Sequence, residues 1–191
     1  MAIIGNGEVG IRLAGTGGQG MILAGIILAE AAIMYDAKNA VQSQSYGPEA
    51  RGGSSKAEVI IAEGEIDYPK VEEPHVLLAM SQESMDKYAD DLQKNGILIV
   101  DSFFVKNVPA GPWHKFEIPF TQIAREELGR VVVANMVAIG ALVGLTEVVT
   151  RTALEQAALR HVPKATTELN RRALAVGYRE ATAALVDHPM L

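Results

Sequence analysis

Hydrophobic residues in this chain form two kinds of pattern: short apolar runs, and longer stretches that repeat near 3.6 residues. The runs Val9 to Ala14, Lys56 to Ala62, Val76 to Met80 and Ile97 to Asp101 predict strands. The last two are apolar almost throughout, as expected for strands covered on both faces. Asn39 to Gln42 predicts a short strand and His114 to Ile118 another, with Ser43 to Gly53 as a loop. Helical spacing places a helix from Gln19 or Gly20 to about Tyr35. Ile22, Leu23, Ile26, Ile27 and Ala31 line it, and Glu30 interrupts them. Further helices are predicted from Glu83 to Gln93 behind Ser81 as N-cap, from Pro119 to about Leu128, and from Asn135 to Leu145. Thr152 with Glu155 has capping-box spacing for a helix that ends before Pro163. A last helix runs from about Thr167 to Val186, with Leu174, Gly177, Ala181 and Leu185 on one face.

Strands alternating with helices predict an α/β fold, a three-layer Rossmann-like arrangement with a mainly parallel sheet. At 191 residues the chain suits one well-filled core, so residues 1–191 are expected to form a single domain. The stretch Val131 to Val149 resembles a membrane span but carries Asn135, Thr146 and Glu147 and is too short in its uninterrupted part. It is read as a buried helix whose Gly140 and Gly144 permit close packing. A soluble, cytoplasmic protein is expected.

Composition narrows the chemistry. A hydrophobic fraction of 49% with 21% charged residues fits a folded globular protein. The net charge of −6 comes with no basic block, which argues against nucleic acid or an anionic membrane as partner. Cysteine is absent, so disulfides, a cysteine nucleophile and a cluster held by this chain's thiolates are excluded. The four histidines show no metal-ligand spacing, and no metal site is expected.

Many of the 18 glycines sit in two clusters, which is where chemistry is sought. The first is Gly15-Thr-Gly-Gly-Gln-Gly20, between the first strand and the first helix. That order is how α/β proteins set a phosphate or nucleotide over a helix N-terminus, and Gly15, Gly17 and Gly20 satisfy G-x-G-x-x-G. A Walker-type loop would continue with Lys and Ser or Thr, whereas Met21 and Ile22 follow here. A dinucleotide site would place an acid at the end of the second strand, where Val41-Gln42-Ser43 stands; Asp36 precedes that strand. Two readings remain. Either the N–H groups of Gly17, Gly18, Gln19 and Gly20 face an anion, with the Gln19 amide beside them, or the glycines serve only close packing.

The second cluster is Ser45-Tyr-Gly-Pro-Glu-Ala-Arg-Gly-Gly53. It sets Tyr46, Glu49 and Arg51 on a proline- and glycine-constrained segment, and Gly52-Gly53 admits a close backbone or ligand. The plainer reading is a turn held by an internal Glu49–Arg51 pair.

GTGGQG after the first strand, QSQSYGPEARGG, and NMVAIGAL from Asn135 to Leu142 together resemble the gamma subunit of 2-oxoacid:ferredoxin oxidoreductases over nearly the whole chain. The resemblance implies a complex that oxidatively decarboxylates a 2-oxoacid onto coenzyme A and passes electrons to ferredoxin. A separate chain of this length looks most like the 2-oxoglutarate branch, with the branched-chain 2-oxoacid, pyruvate and indolepyruvate branches left open. Thiamine diphosphate and iron–sulfur clusters are implied in the partner subunits, with no cofactor bound by this chain alone. The implied partners are alpha and beta subunits, with a ferredoxin-like delta subunit as an optional fourth. The isolated chain is expected to be inactive, and a homodimer in isolation stays open. Gly15, Gly17, Gly18, Gln19, Gly20, Ser45, Tyr46, Glu49, Arg51, Gly52 and Gly53 are the expected coenzyme-A-region residues, and none is expected to be catalytic. The alternative is a free-standing nucleotide- or coenzyme-A-binding regulatory module. A self-contained Rossmann oxidoreductase is disfavoured by the missing ribose-binding acid.

Overall fold

The computed structural model describes residues 7–46 and 54–188. Six strands form one sheet: β1 (Glu8–Thr16), β2 (Asn39–Tyr46), β3 (Ser54–Ala62), β4 (Val76–Ala79), β5 (Ile97–Asp101) and β6 (His114–Ile118). Their order is β2-β3-β1-β4-β5-β6. β1, β4, β5 and β6 pair in parallel, while β3 is antiparallel to both β1 and β2. Every strand except β3 therefore points the same way, which bears out the α/β fold with its mainly parallel sheet.

The three layers are unequal. One face of the sheet carries α1 (Met21–Tyr35), α3 (Phe120–Glu126), α4 (Ala134–Thr146), α5 (Arg151–His161) and α6 (Thr167–Asp187). Among the described residues the other carries α2 (Gln82–Tyr88), a 3-10 turn at Ala89–Asp91 and the chain around Val105 and Trp113. β4 and β5 are buried along their whole length, as their apolar runs require.

α4 is the central helix, with all but one of its thirteen residues buried. Glycine brings it against α6. A Cβ on Gly140 would stand 2.6 Å from the Leu174 carbonyl oxygen, and one on Gly177 would stand 2.7 Å from the Ala141 nitrogen and overlap the Val137 carbonyl. No helix among the described residues is long and apolar enough to cross a membrane.

Three expectations are corrected. β2 continues to Tyr46 instead of stopping at Gln42, because each residue from Asn39 to Tyr46 has a partner on β3. The polar run Ser43-Gln44-Ser45 hides this, since its three side chains are exposed on an edge strand. The helix after Ser81 ends at Tyr88, not Gln93. The following turn tightens as Leu92 N–H donates to the Ala89 carbonyl, and Asp91 is drawn to Arg12. Finally, α5 is capped by Thr150 rather than Thr152: its hydroxyl accepts from Ala153 N–H at 3.1 Å. The Asp36 carboxylate accepts from both Thr150 N–H (2.6 Å) and Thr150 Oγ1 (2.7 Å), which docks the end of α1 on the start of α5. That is a structural use for the acid beside the second strand.

Two buried polar groups hold the sheet to its surroundings. Arg12 on β1 donates to Glu58 (2.8 Å), Asp91 and the Val71 carbonyl (2.9 Å), and lies over the Tyr88 ring. Asp101, fully buried at the end of β5, accepts from Phe103 N–H (3.1 Å), Thr121 N–H and Thr121 Oγ1 (2.5 Å). It thereby serves the start of α3, where Pro119 supplies no side-chain cap. Desolvation raises the Asp101 pKa above its ordinary value, against the pull of these hydrogen bonds.

Gly177→Ala is expected to destabilise the fold by about 1–3 kcal/mol or more, because its methyl group meets α4 backbone. Gly64→Ala, with open space around it, should stay within about 0.5 kcal/mol. Urea unfolding of the two variants checks this. Because folding raises the Asp101 pKa, its stabilising contribution is complete below the unfolded value near 3.8. It is lost as pH rises through the folded value. The stability difference between wild type and Asp101→Asn should accordingly fall as pH rises from 3.8 and then level off.

Candidate functional site

β1 delivers its chain to the carboxyl rim of the sheet, and the glycine cluster makes the turn into α1. Gly15 is buried at the end of the strand, whereas Gly17 and Gly18 are exposed. Gly18 (φ +91°) and Gly20 (φ +76°) occupy left-handed backbone that favours glycine. The turn is closed by Gln19 N–H donating to the Thr16 carbonyl at 3.2 Å.

The Gln19 side chain holds this loop to the sheet. Its Oε1 accepts from Thr16 N–H at 2.7 Å, and its Nε2 donates to the carbonyl of Met80, just past β4, at 2.9 Å. A Cβ on Gly15 would lie only 2.5 Å from that Oε1, so the glycine makes room for the clamp. Gln19 thus has its amide engaged by the chain on both ends.

The amide that does face the turn belongs to a residue the sequence reading had not placed in the site. Asn135 opens α4 and is 6% exposed. Its Oδ1 accepts from Met136 N–H at 2.9 Å. Its Nδ2 sits against Gly20 where a Cβ would be, and has no hydrogen-bond partner among the described residues. The available signal was a single polar residue heading an otherwise apolar helix, inside the NMVAIGAL run. α1 itself starts without a side-chain cap and without an acid in its first turn. Among the described residues no side chain caps its free N–H groups, and an anion is favoured at that positive end.

The second cluster is anchored at the same rim. Strand register sets Tyr46 opposite Ser55 and Ser55 opposite Gly15, while Thr16 pairs with Ser54. β2 therefore ends, and β3 begins, level with the glycine turn. Ser45 is exposed on β2. Glu49, Arg51, Gly52 and Gly53 lie outside the described residues. Among the described residues of the site there is no carboxylate, histidine, lysine or cysteine. What the site can do is bind, at backbone N–H groups and one amide.

Gln19→Ala removes both clamp bonds and should cost about 1–3 kcal/mol. Faster amide exchange at Thr16 and in the first turn of α1 should accompany the loss. Unchanged thermal stability and exchange would refute the clamp.

Residues 10–180 match the family described as pyruvate ferredoxin/flavodoxin oxidoreductase. The 2-oxoglutarate synthase subunit KorC of Methanocaldococcus jannaschii is 50% identical over 173 residues, covering 90% of this chain and 92% of its own. The ketoisovalerate oxidoreductase subunit VorA of Methanothermobacter thermautotrophicus is 36% identical over 138 residues, which are 72% of this chain but 28% of that longer one. Among solved structures, a keto/oxoacid ferredoxin oxidoreductase gamma subunit from Geobacter sulfurreducens has a TM-score of 0.84 at 50% identity. That match covers 92% of this chain and 99% of the other. With the family match spanning most of its length and relatives matching it nearly end to end, this chain belongs to the pyruvate ferredoxin/flavodoxin oxidoreductase family.

Proposed function

We propose that this chain is the gamma subunit of a cytoplasmic 2-oxoglutarate:ferredoxin oxidoreductase and forms the wall of its coenzyme A region. The observation that carries the reading is the 50% identity to a 2-oxoglutarate synthase subunit, sustained over nearly the full length of both chains. The match to the ketoisovalerate enzyme is weaker, at 36%, and covers only part of a longer chain. In the proposed reaction 2-oxoglutarate loses carbon dioxide, its remaining acyl group is joined to the coenzyme A sulfur, and the electron pair passes to ferredoxin. Thiamine diphosphate and the clusters, held by alpha and beta subunits and by a ferredoxin-like delta subunit where present, supply the carbon–carbon cleavage and electron transfer.

The part played by this chain is binding. The uncapped start of α1 offers backbone N–H groups to an anion such as a coenzyme A phosphate, and the Asn135 amide adds a donor beside them. Gln19 keeps those groups in place before the ligand arrives, so little ordering is left to binding. Exposed Gly17 and Gly18 let the ligand approach the backbone, while Gly15 and Gly20 make room for Gln19 and Asn135. Ser45, Tyr46, Glu49, Arg51, Gly52 and Gly53 form the second side of the region in this reading.

In the reconstituted complex, Asn135→Ala should raise the KM for coenzyme A about tenfold and leave the KM for 2-oxoglutarate near its original value. Arg51→Ala should weaken activity or assembly while the subunit itself stays folded. Full activity of both variants with normal coenzyme A dependence would sink the proposal, as would a wild-type complex that prefers another 2-oxoacid. Purification without companion chains, together with thermal stabilisation of the lone chain by coenzyme A, would favour a free-standing regulatory module.

A further inference from the structure

His75 stands one residue before β4, and its backbone already belongs to the sheet. Its N–H donates to the Gly10 carbonyl of β1 at 2.8 Å, and its carbonyl accepts from Ile97 N–H of β5 at 2.9 Å. The side chain adds a bond that the strand ladders do not supply. Gly10 is buried, and it lies one residue before the point where β1 and β4 begin to pair, at Ile11 and Val76. Its N–H donates to His75 Nδ1 at 3.0 Å. A buried N–H needs an acceptor, and here an imidazole provides it.

An imidazole nitrogen accepts only while it carries no hydrogen. With Nδ1 accepting, the neutral ring holds its single proton on Nε2. A second proton would set an N–H donor on Nδ1 against the N–H donor of Gly10. The bond therefore exists in one charge state of the ring and not in the other.

This bond fastens more than a ring. Residues 70–75 lie against β1 as a strap, at the amino end of the sheet and away from the glycine turn. Gly10 and Arg12, two positions apart, share one face of that strand. A Cβ on Gly10 would stand 3.1 Å from Val71 Cγ1, so the glycine makes room for the strap. Arg12 Nη2 donates to the Val71 carbonyl at 2.9 Å and stays charged at any working pH. Of the side chains that fasten the strap to β1, His75 is the one that changes charge near neutrality.

We propose that His75 is a proton-operated latch: neutral, it holds the strap to β1 through Gly10, and protonated, it releases the Gly10 N–H and loosens residues 70–75 from the sheet. The surroundings set the direction. A cavity of about 250 Å³ beside the ring is lined by Glu8 of β1, Ile60 of β3, Lys70, Glu72 and Glu73 of the strap, and Gln93. Loss of water around the half-buried ring lowers its pKa from the ordinary 6.5, and the nearby Glu8 carboxylate pulls it back only in part. Folding thus lowers the His75 pKa, so its stabilising contribution is complete above the unfolded value near 6.5. It is lost as pH falls through the folded value. The latch is closed at neutral pH and opens on the acid side.

The test is nuclear magnetic resonance on the full chain as wild type, His75→Gln and His75→Phe, from neutral pH downward. Imidazole nitrogen shifts report the tautomer and the titration of His75. The protection factor of the Gly10 amide, corrected for intrinsic exchange, reports the latch. Wild type should show the Nε2–H tautomer at neutral pH. Its Gly10 protection should then fall about tenfold as the ring gains its proton, with the same midpoint. His75→Gln cannot gain a charge and should hold its protection level across that range. His75→Phe keeps a ring without an acceptor and should protect Gly10 poorly at every pH. If His75→Phe does not fold, wild type and His75→Gln carry the result. A neutral ring protonated on Nδ1 overturns the proposal. So does Gly10 protection that ignores the His75 titration, or that falls at the same pH in His75→Gln.

Discussion

The close contact between α4 and α6 is the constraint on which the rest of the structure depends. Gly140 and Gly177 let two helix backbones approach to a distance that any Cβ would prevent, and Gly144 does the same against Ala181. That approach sets how deeply α4 sits, and α4 is the helix whose first turn carries Asn135 to the glycine turn. A change of an ångström at the helix crossing would therefore move an amide at the rim. Packing in the middle of the molecule and geometry at its edge are one problem here, since close-packed interiors transmit strain instead of absorbing it.

The clamp at Gln19 works in the same direction from the other side. It joins the end of β1 to the residue after β4 and leaves the exposed Gly17 and Gly18 as the outermost part of a braced turn. The site is consequently rigid in its support and bare at its surface. Among the described residues it has donors in place and no carboxylate or histidine beside them. Asp36, the acid that stands nearest to where a nucleotide fold would want a ribose ligand, is engaged in holding Thr150, the cap of α5.

Much of this was legible in the sequence, for physical reasons that differ by element. Val76 to Met80 and Ile97 to Val100 are apolar without interruption, so burial on both faces admitted one interpretation. The buried helix at Asn135 to Leu145 declared itself the same way, and the glycine turn was fixed by its position between two apolar runs. What escaped were features decided by a distant partner. The second half of β2 is polar and becomes a strand only because β3 pairs with it. Thr150 becomes the cap of α5 in contact with Asp36, more than a hundred positions earlier in the chain. Asn135 gains its place in the site from the depth of α4, and Gln19 turned out to brace the loop because Met80 lies within reach.

The strand order has a consequence for how the chain is made. β1 carries the glycine turn, and its two neighbours in the sheet are β3 and β4, both encoded later. When a ribosome has released β1 and β2, the strand that must lie between them has not yet been made. β1 gains its first edge partner only with residues 54–62 and its second only with residues 76–79. Met80, the anchor of the Gln19 clamp, emerges immediately afterwards. β1 and its turn are thus made well before the two strands and the carbonyl that support them.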